Sequence, residues 1–201
     1  MMAKALALNG AAKVYIVGRR KEVLEAAAKE SPHNNIVPIK GDVTSKESLS
    51  SIAEQIQKEV GYLNVLIANS GIAGPQIGSS TTRPQMPIAE FQSMLWSTPF
   101  EDYTQTFAVN VSSVFFSIVA FLDLLHKGNE KANVMQKSQV IITSSIAGFN
   151  RNVPGGYAYG QSKAAATHMM KQMATNLVPY EIRANALAPG RTSSSTLSLG
   201  C

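Results

Sequence analysis

The amino-acid sequence predicts an α/β protein in which a doubly wound parallel β-sheet is covered by helices on both faces. Short apolar segments alternate with helical segments almost from the first residue, which is typical of such sheets. The predicted strands are apolar along their whole length, as expected of strands that are buried on both faces. The 201 residues are 45% hydrophobic and 15% charged, so one domain with a sizeable core is expected. We expect this domain to span residues 1–190, followed by an irregular polar tail in residues 191–201.

The first third of the chain predicts three strands, each a run of β-branched and other apolar residues. They are KVYIV at residues 13–17, IVPIK at residues 36–40 and LNVLIA at residues 63–68. A helix is predicted between the first two strands, at residues 21–30. A second helix begins at a capping box formed by Thr44 and Glu47, and Gly61 is a residue type that ends helices.

The second half of the chain predicts two long helices and two more strands. Apolar residues recur at helical spacing in residues 100–125 and again in residues 157–177. The strands are SQVIITS at residues 138–144 and IRANALA at residues 182–188. Residues 71–99 are rich in Pro, Gly, Ser, Thr and Gln and predict a long loop, of the kind that often binds ligands or forms a lid. Residues 127–137 are predicted to be a polar surface connection.

Composition and charge exclude several classes of protein. The net charge is +5, but the basic residues are scattered and form no stripe with interleaved aromatic residues, so no nucleic-acid partner is predicted. Cys201 is the single cysteine, so no intrachain disulfide and no oxidising compartment are indicated. We also expect no apolar run long enough to span a membrane, and no signal peptide in the broken N-terminal segment. A cytoplasmic protein without a membrane partner is therefore the expectation.

Two tyrosines precede Lys163, and helical geometry distinguishes them. Tyr159 lies four residues before Lys163 and shares its helix face, whereas Tyr157 lies six residues before it and well round the helix. An ammonium group near a phenol favours the phenolate, and such a tyrosine can give a proton to a carbonyl oxygen or take one from an alcohol. On spacing alone, however, a packing tyrosine beside a solvated lysine explains the pair better.

Polar residues elsewhere in the chain strengthen the chemical interpretation. Ser144 and Ser145 follow the fourth predicted strand, at the carboxyl end of the sheet, where open parallel sheets bind ligands. Gly71 follows the third strand and allows the backbone to pass close to a ligand. Asn110 lies in an otherwise apolar helix and must be hydrogen-bonded there. Asn110 therefore forms either a polar contact between helices or part of a site.

Together these residues belong to blocks that resemble the short-chain dehydrogenase/reductase family over nearly the whole chain. In family order the blocks are GRR (18–20), GDVT (41–44), ANSG (68–71), FAVN (107–110), the serine pair (144–145), YGQSK (159–163) and IRANALAPG (182–190). The combination is highly specific, although no single block is. The resemblance implies a Rossmann-like fold and an oxidoreductase that acts on a small-molecule carbonyl or alcohol.

The resemblance also implies roles for individual residues. Tyr159 would be the catalytic acid/base, and Lys163 would stabilise its phenolate and bind the nicotinamide ribose. Ser145 would orient the substrate, and Asn110 would hold a water in the proton relay. The interval from Ser145 to Tyr159 is one residue longer than the family's usual spacing, so Ser144 is kept as a lesser alternative.

The kind of cofactor is predicted from the residues after the first strand. An NAD enzyme needs a carboxylate at this point for the ribose 2′-hydroxyl, whereas NADP needs a cation for the 2′-phosphate. Here Arg19 and Arg20 are present and no acid is, so NADP(H) is predicted over NAD(H). The resemblance adds cofactor contacts at Asp42, Val43, Asn69, Gly71, Tyr159, Lys163, Pro189 and Gly190.

Two parts of the family pattern are not matched. The family's first strand and its Gly-rich turn are missing, since residues 2–8 look like the end of the helix that follows that turn. The last strand is missing as well, because a serine-rich tail follows Gly190. In the family the first strand lies between the strands that match residues 13–17 and 63–68, so unpaired strand edges are expected there. The alternative function is therefore that of a catalytically inactive relative that binds a partner.

Family members usually assemble through two long helices, so the resemblance also implies a homo-oligomer. Phe115, Phe116 and residues 169–173 are the predicted contacts.

Overall fold

The computed structural model describes residues 2–78 and 85–190 and shows parallel strands alternating with helices. In chain order the elements are α1 (Met2–Leu8), β1 (Val14–Gly18), α2 (Lys21–Lys29), β2 (Ile36–Lys40), α3 (Lys46–Glu59), β3 (Val65–Ala68), α4 (Ile88–Trp96), α5 (Phe100–Phe107), a π-helical turn (Ala108–Ser112), α6 (Ser113–Lys131), β4 (Gln139–Thr143), a 3₁₀ turn (Ile146–Gly148), α7 (Tyr157–Asn176), a second 3₁₀ turn (Val178–Tyr180) and β5 (Arg183–Leu187). The α/β fold class and all five predicted strands are confirmed.

The strands form two parallel groups. β1 pairs with β2, and β4 lies between β3 and β5 in a sheet of three strands. Within the described residues β1 is paired only with β2, and β3 only with β4, so each has a second edge to which no strand is bonded. The resemblance places the family's unmatched first strand between these two edges. The predicted interruption of the sheet is therefore confirmed.

One helical layer packs against both groups of strands. α3 and α6 contact each other, and their buried side chains form an apolar cluster with β2. The cluster consists of Ile39, Leu49, Ile52, Ile56, Phe121 and Leu124. Tyr15 and Val17 of β1 and Leu66 of β3 pack against this same cluster. Each fully buried aliphatic side chain contributes about 1.5–3 kcal/mol, so α3 and α6 hold the two groups of strands together.

A second apolar cluster joins α6 and α7 to the sheet of three strands. Its members include Ile118, Val140, Ile142 and the two methionines Met169 and Met170. Both methionines are at most 8% exposed. The expectation that residues 169–173 form an oligomer contact is therefore wrong for Met169 and Met170, which fill the core. Phe115 and Phe116 on α6 are partly exposed, at 39% and 36%.

The segment that joins β2 to α3 corrects the predicted capping box. Ser45, and not Thr44, is the N-cap of α3, because its hydroxyl oxygen accepts the backbone N–H of Ser48. The hydroxyl and backbone N–H of Thr44 both donate to Asp42 Oδ1 (2.6 and 2.9 Å). Both donor groups of Thr44 are therefore bonded to Asp42, and Ser45 caps α3.

Two predicted loops are shorter than expected. The predicted loop at residues 71–99 contains α4, none of whose side chains is buried. The helix predicted to end at residue 125 continues to Lys131 and ends where Ala132 adopts a left-handed conformation (φ 49°). Without a terminating glycine in the sequence, this end had no strong signal.

The helical stretch from Phe100 to Lys131 corrects the expectation about long apolar runs. Its 32 residues are long and apolar enough to cross a membrane by length and composition alone. Ile118 and Leu125 belong to one core cluster, however, while Phe121 and Leu124 belong to the other. Burial on two sides between the sheet and its neighbouring helices accounts for the apolar character of this stretch.

Gly128 in α6 tests the packing of this helix on the sheet. A Cβ at Gly128 would lie 2.0 Å from the carbonyl oxygen of Leu63 and 2.7 Å from Ser138 Oγ. Alanine is favoured over glycine in a helix by about 1 kcal/mol, but overpacking against a backbone oxygen costs about 1–3 kcal/mol or more. We predict that Gly128→Ala lowers the free energy of unfolding measured by urea denaturation. Gly190→Ala is the control, because a Cβ there meets no atom within 4 Å; equal stability of the two variants would contradict the packing.

Candidate active site

The carboxyl ends of the parallel strands bring the predicted site residues to one edge of the sheet. The segments that follow β3, β4 and β5 contact each other there. Thr143 Oγ1 donates to Asn69 Oδ1 (2.8 Å), the Ser144 N–H donates to the Leu187 carbonyl (2.7 Å), and the Ile146 N–H donates to the Pro189 carbonyl (3.1 Å). Three predicted segments, those that contain Asn69, Ser145 and Pro189, are therefore neighbours.

Lys163 lies beneath this edge with its ammonium group buried. The residue is 4% exposed, and Nζ donates to the carbonyl oxygen of Thr143 at 2.7 Å. Burial lowers the pKa of Lys163 below its ordinary value. Nζ also lies 5.8 Å from the centroid of the Tyr159 ring, one turn earlier on α7. The predicted Tyr159 and Lys163 pair is thus a contact between a cation and an aromatic ring.

Gly71 lies where a side chain would crowd the site. A Cβ at Gly71 would be 3.1 Å from Asn110 Oδ1 and 3.3 Å from Lys163 Nζ. These distances show that Gly71, Asn110 and Lys163 meet at one point. They also give the physical reason for a glycine, which leaves room above the two polar side chains.

Asn110 lies in the π-helical turn between α5 and α6 and is completely buried. Its Oδ1 accepts the Ile72 N–H (2.8 Å), and its Nδ2 donates to the Ile72 carbonyl (2.9 Å) and to Ser162 Oγ (2.9 Å). The side chain therefore makes the polar contact that was one of its two predicted roles. Both amide hydrogens are used, so a water at Asn110 would bind a lone pair of Oδ1 or the backbone carbonyl.

Ser162 is a site residue that sequence reasoning did not single out. It is completely buried, and its hydroxyl donates to the carbonyl oxygen of Tyr159 (2.8 Å) while accepting from Asn110 Nδ2. The available signal was a small polar residue next to Lys163 on an otherwise apolar helix face. Ser162 joins the helix that carries Tyr159 to the turn that carries Asn110.

The two serines after β4 differ in what their hydroxyl groups contact. Ser144 is 2% exposed, and its Oγ bonds to Thr167 Oγ1 (2.6 Å) and to the Lys163 carbonyl (3.2 Å). Ser145 is half-buried, and its Oγ accepts the Ala147 N–H (3.2 Å), which leaves its proton to a ligand. This geometry favours Ser145 over Ser144 as the residue that contacts a substrate.

The residues after β1 and β2 include the other predicted cofactor contacts. Arg19 and Arg20 are exposed, and neither forms an ion pair with another described residue. Hydrogen bonds from Thr44, together with the charge of Arg19, lower the pKa of Asp42. Asp42 is thus an ionised carboxylate beside Arg19, and the two arginines remain available to an anionic group.

Lys163 supplies a test of this geometry. Because its pKa is lower in the folded state, the unfolded chain binds more protons, and the cost of burying the Lys163 ammonium is relieved as the pH rises toward 10.5. We predict that the difference in free energy of unfolding between the native chain and Lys163→Met increases with pH in that range. The control is Lys171→Met, an exposed lysine about two turns further along α7. Parallel pH profiles for native chain and Lys163→Met would show that the ammonium is not desolvated.

Comparison with known proteins gives a consistent result for sequence and structure. A family model described as short chain dehydrogenase matches residues 1–198. Short-chain dehydrogenase/reductase PhomF of Diaporthe leptostromiformis is 54% identical over 191 residues, which is 94% of this chain and 64% of the relative. Short-chain dehydrogenase/reductase VdtF of Byssochlamys spectabilis is 43% identical over 209 residues, or 94% of this chain and 68% of that protein. The chain thus spans less than two thirds of the length of PhomF.

Solved structures show the same fold. The Pseudomonas aeruginosa RhlG/NADP active-site complex has a TM-score of 0.76 at 27% identity and covers 96% of this chain, which spans 68% of that one. A 7α-hydroxysteroid dehydrogenase complexed with NADH and 7-oxo-glycochenodeoxycholic acid has a TM-score of 0.72 at 25% identity, with coverages of 94% and 64%.

Proposed function

Because the chain belongs to the short-chain dehydrogenase family, we propose that it is an oxidoreductase that interconverts a carbonyl group and a secondary alcohol with NADP(H). The observation that carries the proposal is the buried ammonium of Lys163 beside the Tyr159 ring, at the carboxyl end of β4. A buried cation next to a phenol is the arrangement that a tyrosine needs in order to lose and regain a proton.

The proposed mechanism assigns one task to each residue. The cofactor, when bound by the residues named in the next paragraph, would supply the hydride that the carbonyl carbon accepts. The Ser145 hydroxyl donates a hydrogen bond to the substrate oxygen and orients it, and Tyr159 gives its proton to that oxygen. The ammonium of Lys163 stabilises the phenolate that remains. A water held at Asn110 returns a proton to Tyr159.

The residues of this chain fit the two ends of the dinucleotide. Arg19 and Arg20 would bind the 2′-phosphate of the adenosine ribose, as expected of exposed cations that form no ion pair with another described residue. Asp42 and Val43 would contact the adenine. The residues that would hold the nicotinamide half are Asn69, Gly71, Tyr159, Lys163, Pro189 and Gly190. Residues 1–13 contain no glycine-rich turn for the pyrophosphate, and no other residue is assigned that role.

The edges of β1 and β3 to which no described strand is bonded favour a second candidate function. A catalytically inactive relative would use the unpaired edges of β1 and β3 to bind a partner by adding a strand. Such a protein would retain the Tyr159 and Lys163 pair without binding a cofactor. Cofactor binding therefore distinguishes the two functions.

We also propose a cytoplasmic homo-oligomer without nucleic-acid or membrane partners. The partly exposed Phe115 and Val119 on one face of α6 support a contact between copies. The scattered basic residues support the absence of a nucleic-acid partner.

Replacing Tyr159 tests the proposed chemistry. General acid catalysis contributes about 10²–10⁴-fold, so Tyr159→Phe is expected to lower kcat for carbonyl reduction by that factor while NADPH still raises Tm. Tyr180→Phe is the control, because Tyr180 is 55% exposed and lies after α7. Full turnover by Tyr159→Phe would remove the proposed role of this residue.

A further inference from the structure

An apolar cleft of about 510 Å³ opens beside the start of α7. It lies between residues 75–77, α4, the first turn of α5 and the first turn of α7. The side chains that form it include Ile77, Leu95, Trp96, Phe100, Tyr103 and Tyr157. Four of these six side chains are aromatic. The volume of the cleft lies within the range of about 300–1,000 Å³ that is typical of pockets for small molecules.

Gly155 and Gly156 allow the backbone of one wall of the cleft to pack closely against the start of α7. Gly156 has a φ of 85°, and a Cβ there would lie 2.3 Å from the Pro75 carbonyl oxygen. Gln76 Nε2 donates to the Gly155 carbonyl at 3.0 Å. The backbone of residues 75–76 therefore lies directly on the start of α7, where only glycine leaves room for it.

A third glycine brings two further walls together. A Cβ at Gly78 would lie 2.9 Å from Leu95 Cδ2 and 3.1 Å from the Tyr157 ring. On the opposite side, the hydroxyl of Tyr103 bonds to Gln161 Oε1, and its ring stacks on Phe107 at a centroid distance of 5.9 Å. The walls are thus fixed by contacts and do not depend on a ligand.

The mouth of the cleft exposes large aromatic rings. Trp96 is 87% exposed and Phe100 is 75% exposed. Exposed aromatic side chains at the rim of a formed cavity are typical of surfaces that bind another molecule.

The chemistry of the lining selects the kind of molecule. None of the described residues that line the cleft is an acid, a lysine, an arginine or a histidine, and the polar groups are the hydroxyls of Thr98, Tyr103 and Tyr157. Glu101 and Asp102 lie in the first turn of α5, beside Phe100. An anion placed here would lose its hydration without gaining a cation from the described lining residues, and the nearest charges on α5 are carboxylates of the same sign. An uncharged ring system gains apolar contact with four aromatic side chains.

One wall of the cleft is formed by the residues that lead into the proposed catalytic residue on α7. Tyr157 and Ala158 line it and directly precede Tyr159 in the chain. A Cβ at Gly155 would lie 3.2 Å from the Tyr159 ring, so the segment that bears the cleft wall also contacts that ring. We propose that the cleft binds the ring system of an uncharged aromatic or polycyclic ketone, with Tyr157 as a residue that determines specificity. This assignment rests on the proposed reductase function and names its substrate class.

Trp96 is the only tryptophan in the chain, and it lies in the cleft. Its fluorescence therefore reports binding without cofactor or turnover. The probes are 2-acetylnaphthalene, which is neutral, and 6-acetyl-2-naphthoic acid, which adds a carboxylate to the same rings. We expect saturable quenching by the neutral ketone and binding of the carboxylate weaker by about tenfold or more, the equivalent of about 1.4 kcal/mol.

Two variants and a control assign the binding to the cleft. Tyr157→Ala is expected to raise the dissociation constant of 2-acetylnaphthalene by about tenfold. Phe100→Ala is expected to weaken binding in the same direction, and because Phe100 is largely exposed this variant does not depend on the core for folding. Tyr180→Ala removes an exposed tyrosine outside the cleft and is expected to bind like the native chain.

The assignment would be overturned by the absence of saturable quenching, by equal binding of the two probes, or by native affinity in both Tyr157→Ala and Phe100→Ala. Trp96 emission that changes only with protein concentration would likewise overturn it, because a second copy of the chain would then cover the cleft. Saturable quenching without reduction of any carbonyl by NADPH would reject the reductase function and retain the cleft. Turnover without quenching would retain the reductase function and reject the cleft as the binding site.

Discussion

The candidate site depends on how one buried amide is satisfied. Asn110 lies in a π-helical turn, and its side chain bonds to both backbone groups of Ile72 and to the hydroxyl of Ser162. An unpaired amide in this position would cost about 1–3 kcal/mol for each group left without a partner. The same bonds fix the segment after β3 against α7, and so they place Gly71 over Lys163. The π turn is the local irregularity that points the amide at both partners.

A second constraint is the interruption of the sheet. β1 and β3 are each paired on one side among the described residues, yet both pack against the cluster formed by α3 and α6. Because β1, β2 and β3 all pack on that cluster, the two groups of strands are held next to each other. The adenosine end and the nicotinamide end of the proposed cofactor site lie on different groups, at Arg19 and at Lys163. Binding of a dinucleotide to this chain would therefore depend on packing between α3 and α6 as much as on the residues that contact the cofactor.

Much of this arrangement could be predicted from the sequence because it follows from periodicity. Strands buried on both faces are apolar runs, and Tyr159 and Lys163 share a helix face by spacing alone. Ser145 was predicted from the resemblance, with Ser144 as a lesser alternative. The contact that occupies the Ser144 hydroxyl could not be predicted, because it is made by Thr167, a residue 22 positions beyond Ser145 in the chain. Helix α4 was not expected, because none of its side chains is buried and its flanks are rich in loop-forming residues. Ser162 was not singled out, because its role requires knowing that the segment after β3 lies beside α7.

The central claim is that the edge of the sheet forms a usable site for NADP(H), and a thermal melt of the purified chain with each cofactor tests it most directly. A ligand that binds only the folded state raises Tm, by an amount that corresponds to about 2.7 kcal/mol at a hundredfold excess over Kd. The account predicts a cooperative transition that NADPH raises more than NADH does, since Arg19 and Arg20 are exposed cations that form no ion pair with another described residue. A transition that neither cofactor moves, or the absence of a cooperative transition, would contradict it.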